Sequence, residues 1–425
     1  MALKCNLMAT QNVDVLVIGA GPAGTIAASI INKAGFKTKI VEKEKFPRFV
    51  IGESLLPRSM EALEEAGLLE AVKAKGFQEK FGAKFVREEE VCDFNFSEQF
   101  TKGWTWTWQV QRADFDMTLA EEAKRQGVDV CFETEVTAIK FDGTDSSTTI
   151  KNKDGSTDTV NAKFIVDASG YGRVIPRLFN LDKPSNLPPR KTLFAHIKDP
   201  QRLQYSEPNR IMVVVHEPTT WIWVIPFSNG TTSVGFVGNP DFYDQVKDLS
   251  PEEALRKLIN SEPYIKERFG DKEFLFEPKT IQGWSVTTDK FYGDGFVLTG
   301  NVTEFLDPVF SSGVTLAVAS SQRAANLVVK QLKGNKVDWE EEYMKPTMIG
   351  VETFKSYVMG WYDGTLYEIF FAKEINPDFK KQICSVLAGY VWDTTNPFVK
   401  KHDRALKTLA EVIRIGKSQD AVKNI

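Results

Sequence analysis

The sequence predicts an α/β fold in three parts: a Rossmann-like unit that opens the chain, a β-sheet layer interleaved with it, and a C-terminal helical region. Three observations carry this reading. Residues 13–42 read strand, helix, strand; residues 180–240 are strand-rich with Pro and Asn breaks; and from Trp339 onward the pattern is mostly helical with large apolar side chains. A strand–helix–strand unit of this length requires a parallel sheet, whose strands are buried on both faces.

The elements follow in order. Residues 13–18 (VDVLVI) form a short β-branched apolar run ended by Gly19, helical character continues over 25–33 until Gly35, and residues 37–42 (KTKIVE) give a second strand. Trp104, Trp106 and Trp108 recur at a period of two, which predicts three tryptophans on one face of a strand. Residues 113–126 are helical and stopped by Gly127. Residues 128–166 read strand, turn, strand around Asp154-Gly155, a hairpin signal. A helix is expected over 251–261, a strand at 295–298 and a long helix after Gly313. No repeat or low-complexity linker divides the chain, so later segments complete the first sheet.

Composition excludes several classes. A formal net charge of −4 over 425 residues exerts no long-range pull on nucleic acid or anionic lipid, and neither is expected as a partner. Cys5, Cys92, Cys131 and Cys384 form no CxxC pair, so no metal site or disulfide framework is indicated. The first residues lack an apolar core of the signal-peptide type. No stretch approaches the roughly 18 apolar residues of a spanning helix, so a cytoplasmic protein is expected. Aromatic residues make up 12% of the chain, which suits an aromatic-lined pocket.

Gly19-Ala20-Gly21-Pro22-Ala23-Gly24 is a GxGxxG run between the first strand and the first helix. Its glycines serve a tight turn, close approach to a pyrophosphate and close helix–sheet contact, and the helix N-terminus offers free N–H groups to phosphate. Glu42 ends the second strand, 18 residues after Gly24, where an acid can bond ribose hydroxyls. Further along, Arg112 opens a helix in Gln111-Arg112-Ala113-Asp114, Asp167-Ala168-Ser169-Gly170 gives a DxxG element, and Thr299-Gly300-Asn301 precedes Asp307-Pro308. In this order the motifs resemble the flavoproteins that include p-hydroxybenzoate hydroxylase, geranylgeranyl reductases and flavin-dependent halogenases. The resemblance implies FAD as cofactor, with Gly19, Gly21, Pro22, Ala23, Gly24, Glu42, Lys43, Arg48, Arg112, Val136, Asp167, Gly300, Asn301 and Gly313 as its contacts. Asn301 departs from the family's usual aspartate; it still accepts a hydrogen bond but carries no charge. It implies an FAD-binding domain of residues 1–82, 105–180 and 285–340, a substrate-domain β-sheet of 83–104 and 181–284, and a helical region of 341–425.

Trp221-x-Trp223-x-Ile225-Pro226 resembles the WxWxIP motif of flavin-dependent halogenases, as do Phe46-Pro47-Arg48, Gly52-Glu53-Ser54-Leu55-Leu56-Pro57 and Asp307-Pro308-Val309-Phe310-Ser311-Ser312-Gly313. Alternate positions on a strand share a face, so Trp221 and Trp223 can wall off the flavin from substrate. The resemblance implies halide held by backbone N–H groups of Ser312 and Gly313, and Lys80 as the lysine that relays hypohalous acid; Lys84 lies close enough in the lysine-rich stretch to be the alternative. Phe310 stands where tryptophan halogenases carry glutamate, which disfavours tryptophan as substrate and leaves a phenol or pyrrole, free or tethered to a carrier protein. With a single dinucleotide fingerprint in the chain, a separate flavin reductase is the implied electron source. A monooxygenase or geranylgeranyl-reductase-like dehydrogenase using NAD(P)H, and a flavin-binding protein without activity, remain as alternatives. Leu406, Leu409 and Ile413 form a helical stripe expected to dock within the molecule. His196, His216 and His402 stand isolated in the sequence and receive no role.

Overall fold

The opening run VDVLVI places Val15 and Val17 on one face of a strand and Leu16 and Ile18 on the other, and all four are buried. A computed structural model describes residues 9–185 and 187–423; Cys5 and the rest of residues 1–8 lie outside the described residues. The strand runs Thr10–Ile18, three residues longer at its start than the apolar run. It is flanked in parallel by Thr38–Val41 and by Thr157–Asp167, which in turn pairs in parallel with Phe296–Leu298; Asp129–Cys131 closes the other edge. The hairpin expected at Asp154-Gly155 joins Asp145–Lys151 to Thr157–Asp167.

Helix Pro22–Lys33 begins three residues before the expected start, because the last glycine of the fingerprint, Gly24, lies inside its first turn and Gly21 is its N-cap. Val15 and Val17 pack with Ile26, Ile30 and Ile31 of this helix, whereas Leu16 and Ile18 join Ile139, Ile150 and Ile165 on the far side. Helix Arg112–Arg125 and helix Ser312–Leu332 complete the first of these layers.

A seven-stranded sheet forms the second layer, in the order Lys279–Gln282, Lys191–Lys198, Thr231–Gly238, Thr220–Pro226, Ile211–Glu217, Gly82–Arg87, Glu90–Asn95. Residues near 83–95 thus pair with strands more than a hundred positions later, with Gly82–Arg87 parallel to Ile211–Glu217. Period-two alternation divides Thr220–Pro226 between two cores. Ile222 and Val224 meet Leu255 and Ile259 of helix Pro251–Ser261, and Trp221, Trp223 and Ile225 face the other way.

The three-tryptophan strand is corrected. Only Thr107–Gln109 is extended and paired, because its partner Gln78–Lys80 is three residues long and offers no ladder to Trp104 or Trp106. Their rings still meet edge-on in sequence, Trp104 to Trp106 at 5.8 Å and Trp106 to Trp108 at 5.1 Å.

Helices Lys345–Tyr362, Thr365–Phe370, Pro377–Leu387 and His402–Lys423 cover the Trp221 face. Leu406 and Leu409 are buried there and Ile413 packs against them, as the stripe predicts. No described helix is long and apolar enough to cross a membrane.

Gly235 lies across from Trp223, and a Cβ on it would meet the indole Cζ2 at 2.2 Å. Gly235→Ala is therefore expected to displace the Trp223 ring and cost about 1–3 kcal/mol by overpacking, read by urea unfolding and by a change in Trp fluorescence. An unchanged midpoint would show that the ring moves freely.

Candidate active site

Strand ends at a common level make the site. Ile18 pairs with Val41 and with Asp167, and Asp167 with Leu298, so four chain segments leave the sheet at one edge, the place where open α/β sheets bind ligands. A cavity of about 790 Å³ lies there, between this edge and the second sheet.

The glycine turn is shaped by contact. Gly19 has φ +100°, and a Cβ on it would lie 2.6 Å from the Ala168 carbonyl oxygen; one on Gly24 would lie 1.9 Å from the Gly19 oxygen. Only glycine permits this approach of strand, turn and helix. Gly19, Gly21, Pro22 and Ala23 line the cavity, and no side chain caps helix Pro22–Lys33, so its first N–H groups are left for a ligand. Gly24 is absent from the cavity wall and acts through packing.

Glu42 lines the cavity with its carboxylate accepting from Ala20 N–H at 2.9 Å and Glu44 N–H at 2.9 Å. Lys43, paired with Glu135 at 2.9 Å, and Val136 line the same end. Arg112 forms a two-point ion pair with Asp116 at 2.8 and 2.9 Å and donates to the Ile51 carbonyl at 2.9 Å; Arg48 shares Asp116 at 3.0 Å. Both arginines line the cavity. Asp167 does not: its carboxylate accepts from Ser169 N–H at 3.0 Å and Ile175 N–H at 2.7 Å and so braces the loop that does. Gly300, at φ +62°, is likewise behind the wall, donating to Ser320 Oγ at 3.0 Å, and leaves Asn301 at the surface of the cavity. An elongated cavity with a bare helix N-terminus at a glycine turn, an acid beside it and two arginines fits a flavin dinucleotide.

Trp221, Trp223 and Ile225 form the opposite wall. The indoles, 6.1 Å apart, are each fixed by one hydrogen bond: Trp223 Nε1 donates to Ser233 Oγ at 3.0 Å and Trp221 Nε1 to Tyr362 Oη at 3.0 Å. Tyr362 in turn donates to Asp307 Oδ2 at 2.9 Å, while Asp307 Oδ1 accepts from Val309 N–H at 3.1 Å. One residue of the C-terminal helices thus ties the tryptophan wall to the Asp307-Pro308 turn. Burial pushes the Asp307 carboxyl up to about 6, against the donors from Tyr362 and Val309. Helix Ser312–Leu332 begins after this turn with no side-chain cap; Gly313 lines the cavity and Ser312 is buried behind it.

Lys80 is also behind the wall. Its ammonium nitrogen lies 2.8 Å from Ser54 Oγ, 2.8 Å from the Leu55 carbonyl and 5.5 Å from the centre of the Phe96 ring, and Ser54 lines the cavity. Burial, with Arg210 adding repulsion, lowers it to about 7. Lys84 instead pairs with Glu207 at 2.5 Å on strand Gly82–Arg87, so of the two lysines only Lys80 adjoins the cavity wall. Sequence reasoning gave no role to Tyr362, which lies in a helical tail resembling that of phenol-type halogenases, or to the pair formed by Glu53 and His196 at 2.7 Å. Glu53 stood inside the GESLLP stretch; His196 had no signal of its own.

Residues 12–342 match the FAD binding domain family. Over 390 residues the chain is 30% identical to the 1H-pyrrole-2-carbonyl-[peptidyl-carrier protein] brominase of Pseudoalteromonas luteoviolacea, covering 90% of this chain and 93% of that protein. The chain belongs to the flavin-dependent halogenase family. This halogenase-family protein is an FAD-dependent oxidoreductase. Its fold is similar to a flavoprotein/dehydrogenase from Cytophaga hutchinsonii, with a TM-score of 0.94 and 63% identity over 96% of this chain and 100% of that one. It is also similar to the flavin-dependent brominase Bmp2, with a TM-score of 0.79 and 27% identity over 97% and 100% of the two chains.

Two substitutions test the geometry. Tyr362→Phe leaves Trp221 without an acceptor and Asp307 Oδ2 without a donor, for a loss of about 1–3 kcal/mol. Asp307 titrates at about 6 when folded and near 3.8 otherwise, so the folded chain holds the extra proton in that window and stability declines as pH rises across it. The variant extends the decline upward, and urea unfolding is expected to show a larger deficit at pH 8 than at pH 5. Lys80 has the opposite displacement, about 7 folded against 10.5. The unfolded chain binds more protons between those values, so stability rises with pH there. Lys80→Met is expected to be more stable than wild type at pH 7 by on the order of 2 kcal/mol, after the two lost hydrogen bonds, with the gap closing toward pH 10.

Proposed function

We propose that this halogenase-family flavoprotein uses FADH2 from a separate reductase, together with O2 and halide, to halogenate an electron-rich aromatic, a phenol or pyrrole, free or tethered to a carrier protein. The observation that carries the reading is Lys80: a buried, neutral-leaning amine one hydrogen bond behind the wall of the flavin cavity. A lysine without a carboxylate partner in an interior costs stability, and its retention points to chemistry rather than packing.

Bound reduced FAD would supply two of the four electrons that take O2 to water and hypohalous acid, and the halide supplies the other two as it is oxidised. The chain's own residues set the rest. The glycine turn and helix Pro22–Lys33 take the pyrophosphate, Glu42 the ribose, Arg48 and Arg112 the neighbouring polar groups, and Asn301 a ribityl hydroxyl. Lys43 and Val136 flank the ribose end. Backbone N–H groups of Ser312 and Gly313, at a helix N-terminus, hold the halide. Trp221 and Trp223 keep the substrate ring away from the flavin, which separates halogenation from hydroxylation. The neutral Lys80 amine hydrogen-bonds hypohalous acid or exchanges an N–H for N–halogen with release of water, then passes the halogen to the ring, which loses a proton. Phe310, buried against Tyr357 and Trp361, gives an apolar neighbourhood that fits a small aromatic. The carrier-bound pyrrole acted on by the brominase relative supports that substrate class.

A dehydrogenase is the second reading, favoured by the name of the Cytophaga hutchinsonii structure. The two separate in one assay. With FADH2, O2 and chloride or bromide, the protein is expected to halogenate members of a phenol and pyrrole panel that includes a carrier-bound pyrrole-2-carbonyl group. Lys80→Ala is expected to lower halogenation by at least ~100-fold while flavin reoxidation continues. The wild-type rate should rise through about pH 7 as the Lys80 amine loses its proton. Saturation of an alkene or NAD(P)H-driven turnover with no halogenated product would establish the dehydrogenase instead.

A further inference from the structure

Among the described residues, Glu53 and His196 form an ionisable pair at the cavity that the reading above leaves unused. Glu53 is buried, lines the cavity, and its Oε1 lies 2.7 Å from His196 Nε2. His196 does not line the cavity; its ring, 12% exposed, is held among Phe49, Phe227 and Phe276, with centroids 5.8, 5.1 and 5.0 Å away. His196 is placed by the same sheet as the wall. His196 is opposite Ser233, the residue that fixes Trp223, and Phe194, two positions earlier on the same face, lies tilted with its centroid 5.6 Å from that of the Trp223 ring. Glu53 also precedes Ser54, the acceptor of Lys80. Of the other cavity carboxylates, Glu42 is committed to backbone N–H groups and Glu135 to Lys43, and Glu44 follows directly on Lys43 in the chain.

The stoichiometry of halide oxidation gives such a pair a task. Reduced flavin carries two hydrogens and two electrons, and halide gives two more electrons. Oxidised flavin, hypohalous acid and water contain three hydrogens, so one proton must come from outside. Release of hydrogen peroxide needs none. We infer that Glu53 is the proton donor of this cavity and that His196 is the positioning residue that recharges it. The Glu53 O–H bond breaks as the proton joins the oxygen leaving as water, and the carboxylate recovers a proton from His196 Nε2. Imidazole exchanges protons with solvent near neutrality, which suits the recharging role. The charged groups nearest the pair are the Arg112 guanidinium, which interacts with Glu53, Lys80 through Ser54, and Lys279, 4.1 Å from the Phe49 ring that touches His196.

This rests on the halogenase reading, and the test separates the two. FAD-loaded wild type, Glu53→Gln and His196→Gln are reoxidised with O2 and bromide at pH 6–9, and halogenated product and hydrogen peroxide are counted per flavin. Both variants are expected to reoxidise flavin while product per flavin falls at least 10-fold and peroxide rises to match, His196→Gln most severely at high pH. The chain has three histidines, so their imidazole signals are resolved by NMR; in Glu53→Gln the His196 ring signals should shift as the 2.7 Å contact changes while those of His216 and His402 stay. Wild-type partitioning in both variants, or His196 ring signals unmoved by Glu53→Gln, overturns the inference while leaving the halogenase reading intact. Peroxide alone from wild type overturns both. Should Glu53→Gln lose FAD, His196→Gln decides, because His196 is outside the cavity wall.

Discussion

The register between Thr10–Ile18 and Thr157–Asp167 is the constraint from which the rest follows. Ile18 opposite Asp167, with Val41 and Leu298 at the same level, brings the glycine turn, Glu42, the 168–175 loop and the Gly300 turn to a single edge. A slip of one residue would exchange Val15 and Val17 with Leu16 and Ile18 between two cores of different shape. The contact of Gly19 with Ala168 locks that level, since no larger residue could approach so closely.

Against this rigid edge stand groups that cost stability. Lys80 is buried with neutral acceptors and an aromatic ring rather than a carboxylate, and Asp307 is buried with donors that only partly offset its desolvation. Both lie next to the cavity and neither contributes apolar packing. The aromatic cluster of Phe85, Phe94, Phe310, Trp361 and Phe370 supplies compensating burial within the same core.

Much of this was legible in the chain. A buried strand, a glycine turn and a helix in register are local signals, so the opening unit and the faces of Trp221 and Trp223 could be read directly. The three-tryptophan strand could not, because strand length at Trp104 is set by a partner only three residues long at Gln78–Lys80. The same holds for the site. Lys80 and Lys84 differ little in sequence, and what separates them is that one turns toward Ser54 and the other toward Glu207. Tyr362 and His196 were invisible because each matters through a partner 141 or 143 positions away.

The interleaved topology also has a consequence for how the protein is made. The cavity draws walls from residues near 19, 112, 221 and 313, and the strand Gly82–Arg87 finds its parallel neighbour only at Ile211–Glu217. Such pairings close long loops before any contact rewards them. On the ribosome the glycine turn emerges early, but its binding cleft is completed only when the helix beginning at Ser312 has followed. Flavin uptake is therefore a late event in biogenesis, and a nascent chain stalled before that helix exposes the edges of both sheets.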